Sequence, residues 1–420
     1  MKAVCQPPNS AATPPGVLSV VGIGADGWGG LTEQARGVVE SADVLVGGER
    51  HLDLVPLTDV VKVPWPRPLR PGLAALFEEH AGRRLAVLAS GDPLLSGIGT
   101  TLVELFGSDA VRVLPTVSSV TLARARLGWS AERTEVVSVV GRSVRAVARA
   151  LAPGRRLLVL SADGATPAAV ADLVTAVGYG RSRLHVLENL AAEGERRLDG
   201  TAAGWEHPPG AALNVVAVEC LLDEGATPMS TVPGLPDDAF EHDGQLTKRD
   251  ARASCLARLV PVPGQLLWDV GSGSGSVAIE WMRAHPDNRA VAVEPRDDRA
   301  DRIGRNAERL GVPGLRVVRG HAPDALAELA AEAAPDAVFV GGGVSAPGVV
   351  DACVEAAVPG GRLVAHAVTL EAEAVLADAR ARHGGELLRH RLERAAPLGA
   401  MTGWEPARGL TQWSLVKENG

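Results

Sequence analysis

The stretch from Leu266 to Arg283 (LLWDVGSGSGSVAIEWMR) combines a buried strand pattern, alternating glycines and an apolar helical pattern. Glycines at 271, 273 and 275 allow a sharp turn and let a ligand approach the main chain without a Cβ in the way. A helix that starts at Ser276 directs free N–H groups to the same place. A dinucleotide fingerprint would require glycine at 276, so an adenosine ligand without a pyrophosphate is favoured over NAD. A plain strand-to-helix turn is the alternative.

A second strand, Arg289–Glu294 (RAVAVE), ends in an acid. In doubly wound sheets a carboxylate at this strand end accepts hydrogen bonds from the ribose hydroxyls. The alternative is that Glu294 caps the next helix, where acids are favoured. Asp297 and Asp298 already fill that role, so ribose binding is favoured.

Three other groups near this stretch have side chains or backbones suited to chemistry. His242 and Asp243 are adjacent and are the candidate catalytic pair for proton transfer, with a turn-and-cap role as the alternative. His366, on a predicted strand, is a candidate ligand or a core histidine. Gly341–Gly343 after another strand would let a large planar ring approach the backbone, or form a simple loop.

The overall composition limits the classes of partner. The 420 residues carry a formal net charge of −8, which opposes a broad nucleic-acid surface and an RNA methyltransferase. Cys5, Cys220, Cys255 and Cys353 are widely spaced, so neither a zinc site nor a disulfide framework is expected. No apolar run reaches the roughly 18 residues that span a bilayer. We therefore expect a cytoplasmic protein with no nucleic-acid partner, no membrane partner and no metal.

The order of elements predicts an α/β fold in two halves. Strands and helices alternate through both halves, which is typical of parallel sheets. Residues 1–15 are predicted as a disordered tail, and the Pro-containing stretch around 223–233 as a linker between domains at 16–222 and 234–420. The second half ends in two strands, ELLRHRLERAAP and GLTQWSLVKE, with no helix between them. Five parallel units closed by an antiparallel hairpin are typical of class I methyltransferases that use S-adenosylmethionine (SAM), with a Rossmann-like sheet.

Both halves also resemble known families. The second half resembles the precorrin-6B C-15 methyltransferase (decarboxylating) domain in the strings PGLPDDAFEHDGQLTKRD, WDVGSGSGSVAIEW, GHAPDAL, DAVFVGGG, GGRLVAHAVTLE and PLGAMTGW. The first half resembles the C-5 methyltransferases of the tetrapyrrole methylase class, which have two α/β subdomains, in VVGIGADGWGGLT, ADVLVGGERHL, LASGDPLLSGIG, PTVSSVTLARARLGW, SADGATP, LENL and NVVAVE. In this order, the halves resemble the fused precorrin-6Y C(5,15)-methyltransferases (decarboxylating) over nearly the whole chain.

The resemblance implies two SAM sites of different architecture. In the second half it implies that SAM contacts Thr247, Gly271, Ser272, Gly273, Ser274, Gly275, Glu294 and Ala322. In the first half it implies Gly91, Asp92, Pro93, Ile98, Ser118, Ser119, Ala162, Asn214 and Val215. Many relatives have aspartate where this chain has Glu294, which leaves the local ribose geometry open.

The resemblance further implies methylation of precorrin-6B at carbon-5 and carbon-15, with loss of the ring C acetate carboxyl group as CO2. The product would be precorrin-8, in cobalamin biosynthesis. The same chemistry on a cobalt-containing intermediate, or a non-catalytic binding role for one half, are the alternatives. A homo-oligomer is expected, with a tetramer through the C-terminal domain.

A substrate with many carboxylates needs arginine or lysine side chains or helix N-termini. The substrate-contact candidates are Lys248, Arg249, Arg391 and Gly341, Gly342 and Gly343, with Arg389, Arg394, Arg67 and Arg70 as further cations. Solvated surface charge is the alternative for more than half of these arginines.

Overall fold

The computed structural model describes residues 17–418, so the tail predicted at 1–15 lies outside the described residues. These residues divide into two compact units. The first contains 17–142, 154–172 and 180–221, and the second contains 143–153, 173–179 and 222–418. The domain bounds expected at 16–222, 223–233 and 234–420 remain a prediction.

The first sheet of the first unit is fully parallel. Its strands and helices are β1 (Leu18–Ile23), α1 (Glu33–Glu40), β2 (Val44–Gly47), α2 (Glu49–Asp53), β3 (Val61–Pro64), α3 (Leu69–Glu79), β4 (Leu85–Ser90), α4 (Ile98–Phe106) and β5 (Val111–Leu114). The strand order is β3-β2-β4-β1-β5. Thr32 caps α1, as its position predicts, because its side chain accepts from the Ala35 N–H at 3.2 Å.

The second sheet of the first unit is mixed. The elements of this part of the chain are α5 (Ser119–Leu127), β6 (Thr134–Ser138), α6 (Val147–Ala150), β7 (Arg156–Leu160), α7 (Thr166–Ala176), β8 (Arg183–Glu188), β9 (Arg196–Thr201) and β10 (Asn214–Glu219). Its strands all lie in the first unit, whereas α6 and the end of α7 belong to the second. The strand order is β6-β7-β10-β8-β9, and only β6 and β7 pair in parallel. The sequence pattern did not reveal β9, because it is a polar edge strand with no buried residue.

The continuous part of the second unit, from residue 222 onward, is built on one seven-stranded sheet, and its first α-helix is α8 (Arg249–Leu259). The elements that follow are β11 (Leu266–Val270), α9 (Ser276–Ala284), β12 (Arg289–Glu294), α10 (Asp297–Arg309), β13 (Arg316–Arg319), α11 (Asp324–Glu332), β14 (Ala337–Val340), α12 (Val349–Ala356), β15 (Arg362–Ala367), α13 (Leu370–His383), β16 (Glu386–His390), β17 (Glu393–Leu398), β18 (Met401–Pro406) and β19 (Leu410–Val416). The order is β13-β12-β11-β14-β15-β19-β16. Strands β11 to β15 run parallel, and β19 runs antiparallel to both β15 and β16. This confirms the predicted class I fold and its antiparallel ending.

The end of the chain differs from the expected pair of strands. The stretch ELLRHRLERAAP divides between β16 and β17, and β17 pairs with β18 in a separate two-stranded hairpin. The expectation that Arg389, Arg391 and Arg394 share one strand is therefore wrong. Arg389 lies on β16, Arg394 lies on β17, and Arg391 lies between the two strands.

Apolar side chains cover both faces of the seven-stranded sheet and hold β11 at its centre. Successive residues of β11 point to opposite faces: Leu267 packs into one apolar cluster and Trp268 into the other. The strand order reverses beside β11, between β12 and β14. In open parallel sheets, ligands bind outside the carboxyl ends of strands at such a reversal.

Candidate functional sites

The backbones of the loops after β11 and β14 are in close contact in the second unit. The Gly271 N–H donates to the Val293 carbonyl at 2.9 Å, and the Gly341 N–H donates to the Val270 carbonyl at 2.9 Å. Gly271 has φ +66°, and a Cβ built there would lie 2.6 Å from the Gly342 oxygen. A side chain at 271 would force the two loops apart, so this turn requires glycine.

Asp269, which the sequence analysis did not single out, fixes this turn to α9. Its buried carboxylate accepts from the Ser272 hydroxyl at 2.8 Å and from the Ala278 N–H at 3.0 Å. Burial raises the pKa of Asp269 to about 6, although the hydrogen bonds from Ser272 and Ala278 oppose the rise. A single acid thus joins the strand, the turn and the first turn of the helix.

Glu294 lies beside the same turn. Its buried carboxylate accepts from the Gly273 N–H at 2.8 Å and from the Arg296 N–H at 3.2 Å. The acid at the end of β12 and the glycine loop after β11 are therefore brought together. Binding of ribose by Glu294 remains a prediction.

A cavity of about 500 Å³ opens at this edge of the sheet. Seven of the predicted contact residues line it: Thr247, Lys248, Gly271, Ser272, Gly273, Gly341 and Gly342. Seven others do not: Ser274, Gly275, Glu294, Ala322, Arg249, Gly343 and Arg391. Of these, Ser274 is fully buried, Gly275 precedes α9, and Ala322 packs against an apolar cluster.

A buried ion pair holds the segment before α8 against the cavity. Arg252 is fully buried and donates to Glu280 at 2.6 Å and to the Thr247 carbonyl at 2.5 Å, and also to the Leu235 carbonyl. The sequence KRDARASCLARLV predicts a helix with Thr247, the residue before it, as the cap. This prediction is wrong, because the residue at the cap position of α8 is Lys248, without a side-chain hydrogen bond. Thr247 is instead positioned through its backbone carbonyl.

His242 and Asp243 lie in a turn and do not line the cavity. The Asp243 carboxylate accepts from the Arg299 Nε at 2.8 Å and from the Gln245 N–H at 3.1 Å. The Arg299 guanidinium holds the pKa of Asp243 well below its usual range. His242 Nδ1 accepts from the Gly244 N–H at 3.0 Å. These contacts favour the turn-and-cap interpretation, and a role in proton transfer remains a prediction.

His366 is buried and lines the same cavity. Its Nε2 lies 2.9 Å from the Gln412 Oε1, and its ring packs edge-on against Phe339. Burial lowers the pKa of His366 to about 4, so the ring is neutral near pH 7. Three arginines that line the cavity complete its charged rim: Arg299, Arg394 and Arg408.

In the first unit, the turn after β4 packs against the loop after β5. The Gly91 carbonyl accepts from the Thr116 N–H at 3.0 Å, and Gly91 has φ +50°. A Cβ built at Gly91 would lie 2.9 Å from the Ser118 Cα. Asp92 closes the turn by accepting from the Leu94 N–H at 2.9 Å. This is a second glycine-dependent loop at the carboxyl edge of a parallel sheet.

A cavity of about 290 Å³ lies over this turn. The predicted residues that line it are Gly91, Asp92, Ile98, Ser118, Ser119, Asn214 and Val215, whereas Pro93 and Ala162 do not. Asn214 is held by the Ser161 hydroxyl, which donates to its Oδ1 at 2.6 Å. Arg67 and Arg70 do not line the cavity, and Arg70 pairs with Glu104 on the surface at 3.2 Å. The cation that does line it is Arg50.

The two halves match different family models. Residues 17–204 match the tetrapyrrole (corrin/porphyrin) methylases, and residues 238–417 match the precorrin methyltransferase domain. The chain is 48% identical over 405 residues to the precorrin-6Y C(5,15)-methyltransferase (decarboxylating) of Sinorhizobium sp, covering 95% of this chain and 96% of that protein. The chain belongs to the family of precorrin-6Y C(5,15)-methyltransferases (decarboxylating).

Two further similarities complete the comparison. The family member of the same description from Mycobacterium tuberculosis is 47% identical over 407 residues, covering 96% of this chain and 100% of that protein. A crystal structure of the C-terminal domain of a precorrin-6Y C5,15-methyltransferase from Rhodobacter capsulatus is 49% identical. It covers 45% of this chain and 100% of that chain, with a TM-score of 0.42. The resemblance proposed from the sequence motifs is confirmed.

Several residues of the family member described here were not found from its sequence. Asp269 could have been found from its place in WDVGSGSG, where an acid interrupts a buried apolar strand. Arg50 could have been found from the register of β2, because it follows the carboxyl end of that strand closely. Arg299 and Arg408 carry no local signal, since only the fold brings them to the cavity.

Other properties of the described residues concern cysteine, metals and membranes. Cys220, Cys255 and Cys353 are buried, and Cys255 and Cys353 form no disulfide. Within residues 17–418, no group of three or more His, Cys, Asp or Glu side chains could hold a metal ion. No helix in that part of the chain is both long and apolar enough to cross a membrane.

Proposed function

We propose that this chain uses SAM to methylate precorrin-6B at carbon-5 and carbon-15, and removes the carboxyl group of the ring C acetate as CO2. The product is precorrin-8, an intermediate of cobalamin biosynthesis. The first unit transfers the methyl group to carbon-5. The second unit transfers the other to carbon-15 and carries out the decarboxylation. The membership of the whole chain in the fused family supports this assignment.

The single observation that carries the proposal is that each unit has its own glycine-dependent turn beside its own cavity. Each turn follows a strand of a parallel sheet and packs backbone against backbone, where a Cβ would collide. Such a turn lets a ligand contact the main chain directly. This arrangement supports the proposal of two SAM sites, one per unit, and no metal is assigned to either.

In the second unit, the SAM-binding residues we propose are Thr247, the Gly271–Gly275 loop, Glu294 and Ala322. Glu294 fits a ribose because it lies at the end of β12 and contacts the glycine loop through Gly273. In the first unit, the proposed set is Gly91 to Pro93, Ile98, Ser118, Ser119, Ala162, Asn214 and Val215.

SAM supplies an electrophilic methyl group when it is bound, and the electron-rich bridging carbons of the macrocycle supply the nucleophile. The protein must therefore hold the reacting atoms about 3 Å apart and in line. The loop Gly341–Gly343 and the cations Lys248, Arg249 and Arg391 are the proposed substrate contacts. Arg394 and Arg408 are better placed than Arg391, because both line the cavity.

Methylation at carbon-15 leaves a cationic, iminium-like ring system. This system accepts the electron pair of the carbon–carbon bond as the neighbouring acetate loses CO2. The freed methylene carbon takes up a proton, which makes a methyl group. The chemistry needs no pyridoxal lysine. It also predicts that CO2 is not released without SAM.

We also propose a homo-oligomer, a tetramer, assembled through the second unit. The hairpin of β17 and β18 exposes three large apolar side chains: Leu398, Met401 and Trp404 are 70%, 79% and 73% exposed. Isolated apolar residues on a surface are ordinary, but a cluster on one hairpin is typical of a protein contact. Sedimentation measurements would test this. The average mass should rise with protein concentration, and Trp404→Ser should abolish that rise. We propose a cytoplasmic location, without nucleic-acid or membrane partners.

The deciding experiment is incubation of the full chain with precorrin-6B and SAM, with product mass as the measurement. Two methyl gains and one CO2 loss are expected. Gly271→Val should leave only the carbon-5 methylation, and Gly91→Val only the carbon-15 methylation with its decarboxylation. If either variant abolishes both reactions while its fold is retained, one unit is a binding module. A parallel incubation with the cobalt-containing intermediate distinguishes the two substrates.

A further inference from the structure

Arg50, His51 and Ser90 form a polar cluster on the wall of the first cavity. The Arg50 Nη2 lies 2.8 Å from the His51 Nε2 and donates to the Ser90 Oγ at 3.1 Å. The His51 Nε2 and the Ser90 Oγ are 2.8 Å apart. Residues 50 and 51 follow β2 and residue 90 ends β4, which are neighbouring parallel strands. The sheet therefore brings the cluster to the same edge as the glycine turn at Gly91.

The hydrogen bonds determine which donors of Arg50 remain available. A guanidinium has only donors, so the His51 Nε2 must accept from Arg50. His51 is therefore the neutral tautomer with its proton on Nδ1. Burial, with the nearby Arg50 charge, lowers the pKa of His51 to about 4, which agrees with a neutral ring. Both contacts of Arg50 use Nη2, and within residues 17–418 its Nε and Nη1 have no hydrogen-bond partner.

Arg50 also lacks a counter-ion. Among the described residues, no carboxylate lies within ion-pair distance of its guanidinium. Other arginines on the surface of the described residues do pair with an acid, as Arg70 does with Glu104 and Arg126 with Glu195. An exposed arginine that is held by two neutral groups and keeps unused N–H donors is suited to a planar anion.

We propose that Arg50, positioned by His51 and Ser90, binds a carboxylate of a ligand in the first cavity. The inference rests on the proposed function, because it takes this cavity as the methyl-transfer site. Two carboxylates meet this description: the amino-acid end of SAM, and an acetate or propionate side chain of the macrocycle. Ser90 immediately precedes Gly91, so either ligand would have its carboxylate close to the donor-binding turn.

The test compares Arg50→Met and Arg50→Lys in the full chain carrying Gly271→Val, so that ligand titrations report the first unit. The matched control is Arg70→Met, which removes an exposed arginine outside the cavity. The measurements are the Kd of S-adenosylhomocysteine and the KM of precorrin-6B for carbon-5 methylation. Loss of a charge-assisted carboxylate contact should raise the Kd or the KM, whichever reports that contact, by roughly 10- to 100-fold. Lys should restore part of it, because it keeps the charge but not the planar geometry.

The two carboxylate sources give different results. A weaker Kd for S-adenosylhomocysteine assigns Arg50 to the donor, whereas an unchanged Kd with a raised KM assigns it to the macrocycle. If both constants in Arg50→Met stay within twofold of the parent and of Arg70→Met, the proposal is overturned. If the parent makes no carbon-5 product, the proposed function fails. In that case, titration with precorrin-6B still tests whether Arg50 binds a ligand carboxylate. Identical binding isotherms for the parent and Arg50→Met would overturn the proposal, and a binding event that is lost in Arg50→Met would support it.

Discussion

The carboxylate of Glu294 accepts a hydrogen bond from the backbone N–H of Gly273 at 2.8 Å, so the acid that ends β12 is joined to the loop that follows β11. Both groups belong to the predicted donor site, although they are separated by a helix and a strand in the chain. The contact brings a fixed negative charge to the edge of a turn that has no side chains of its own beyond two serines.

The first prediction concerns this acid. Glu294→Ala should weaken binding of S-adenosylhomocysteine to the second unit by roughly 10- to 100-fold, because hydrogen bonds to a charged group are worth more than neutral ones. Calorimetric titration should show one of two binding events weakened. Glu294→Asp should keep most of the affinity, and Glu371→Ala, at an exposed acid, should change nothing. Equal weakening of both binding events would contradict the assignment.

A second prediction uses the backbone contact at Gly91. Gly91→Ala places a Cβ about 2.9 Å from the Ser118 Cα in a left-handed conformation, so the two loops must separate. Displacement of a reacting group by about 1 Å can cost 100-fold in rate. Carbon-5 methylation should fall by about that factor, whereas carbon-15 methylation should persist. Gly128→Ala is the matched control, because Gly128 is also left-handed but faces open space. Equal losses of carbon-5 methylation in Gly91→Ala and Gly128→Ala would indicate that backbone strain alone, and not the contact with Ser118, causes the effect.

The buried pair of Arg252 and Glu280 gives a third prediction, on stability. Glu280 also accepts from the N–H groups of Gly234 and Leu235, and Arg252 lies 4.7 Å from the ring of Phe240. Arg252→Met leaves the Glu280 charge buried without its partner and should cost about 3–5 kcal/mol in the free energy of unfolding. Urea denaturation measures this loss. The double variant Arg252→Met with Glu280→Met should recover part of it, and equal stability of wild type and Arg252→Met would refute the account.

The fourth prediction is a pH dependence. Burial lowers the pKa of His366 to about 4 in the folded state, from 6.5 in the unfolded state. The unfolded state therefore binds more protons below pH 6.5, so folding stability is complete above pH 6.5 and falls between pH 6.5 and 4. The loss should approach about 3 kcal/mol. In His366→Gln this part of the pH dependence should vanish, whereas His321→Gln, at an exposed histidine, should keep it. If the free energy of unfolding changes with pH in the same way in wild type and in His366→Gln, this account of His366 is refuted.

The sequence predicted the layers of the fold well, because strands that are buried on both faces have continuous apolar runs. The strands LLWDV and RAVAVE in the second unit, and LAVLAS in the first, are of this kind. Polar edge strands lack that signal, so β9 was not found. The break between β16 and β17 was also missed, because the residues on both sides of it carry similar charge.

The glycine turn at 271–275 was predicted for a physical reason that the structure supports, since only glycine fits at 271 where two backbones meet, whereas Gly91 was implied by the family resemblance. Contacts that depend on distant parts of the chain were not predicted. The neutral His51 beside Arg50 and the ion pair of Arg299 with Asp243 need the sheet to bring them together. The helix cap predicted at Thr247 was wrong by one residue, because α8 begins at Arg249 with Lys248 at the cap position.

The contact between Gly271 and Gly342 has a consequence for how this protein can change over evolutionary time. Segments far apart in the chain meet there, and a Cβ at position 271 would lie 2.6 Å from the Gly342 oxygen, whereas a Cβ at position 342 would lie at an ordinary contact distance of 3.4 Å. Position 271 is therefore held to glycine for as long as the loop after β14 keeps its path. Side chains at the cationic rim of the cavity, such as Arg394 and Arg408, can therefore change while the backbone turn beneath them stays the same.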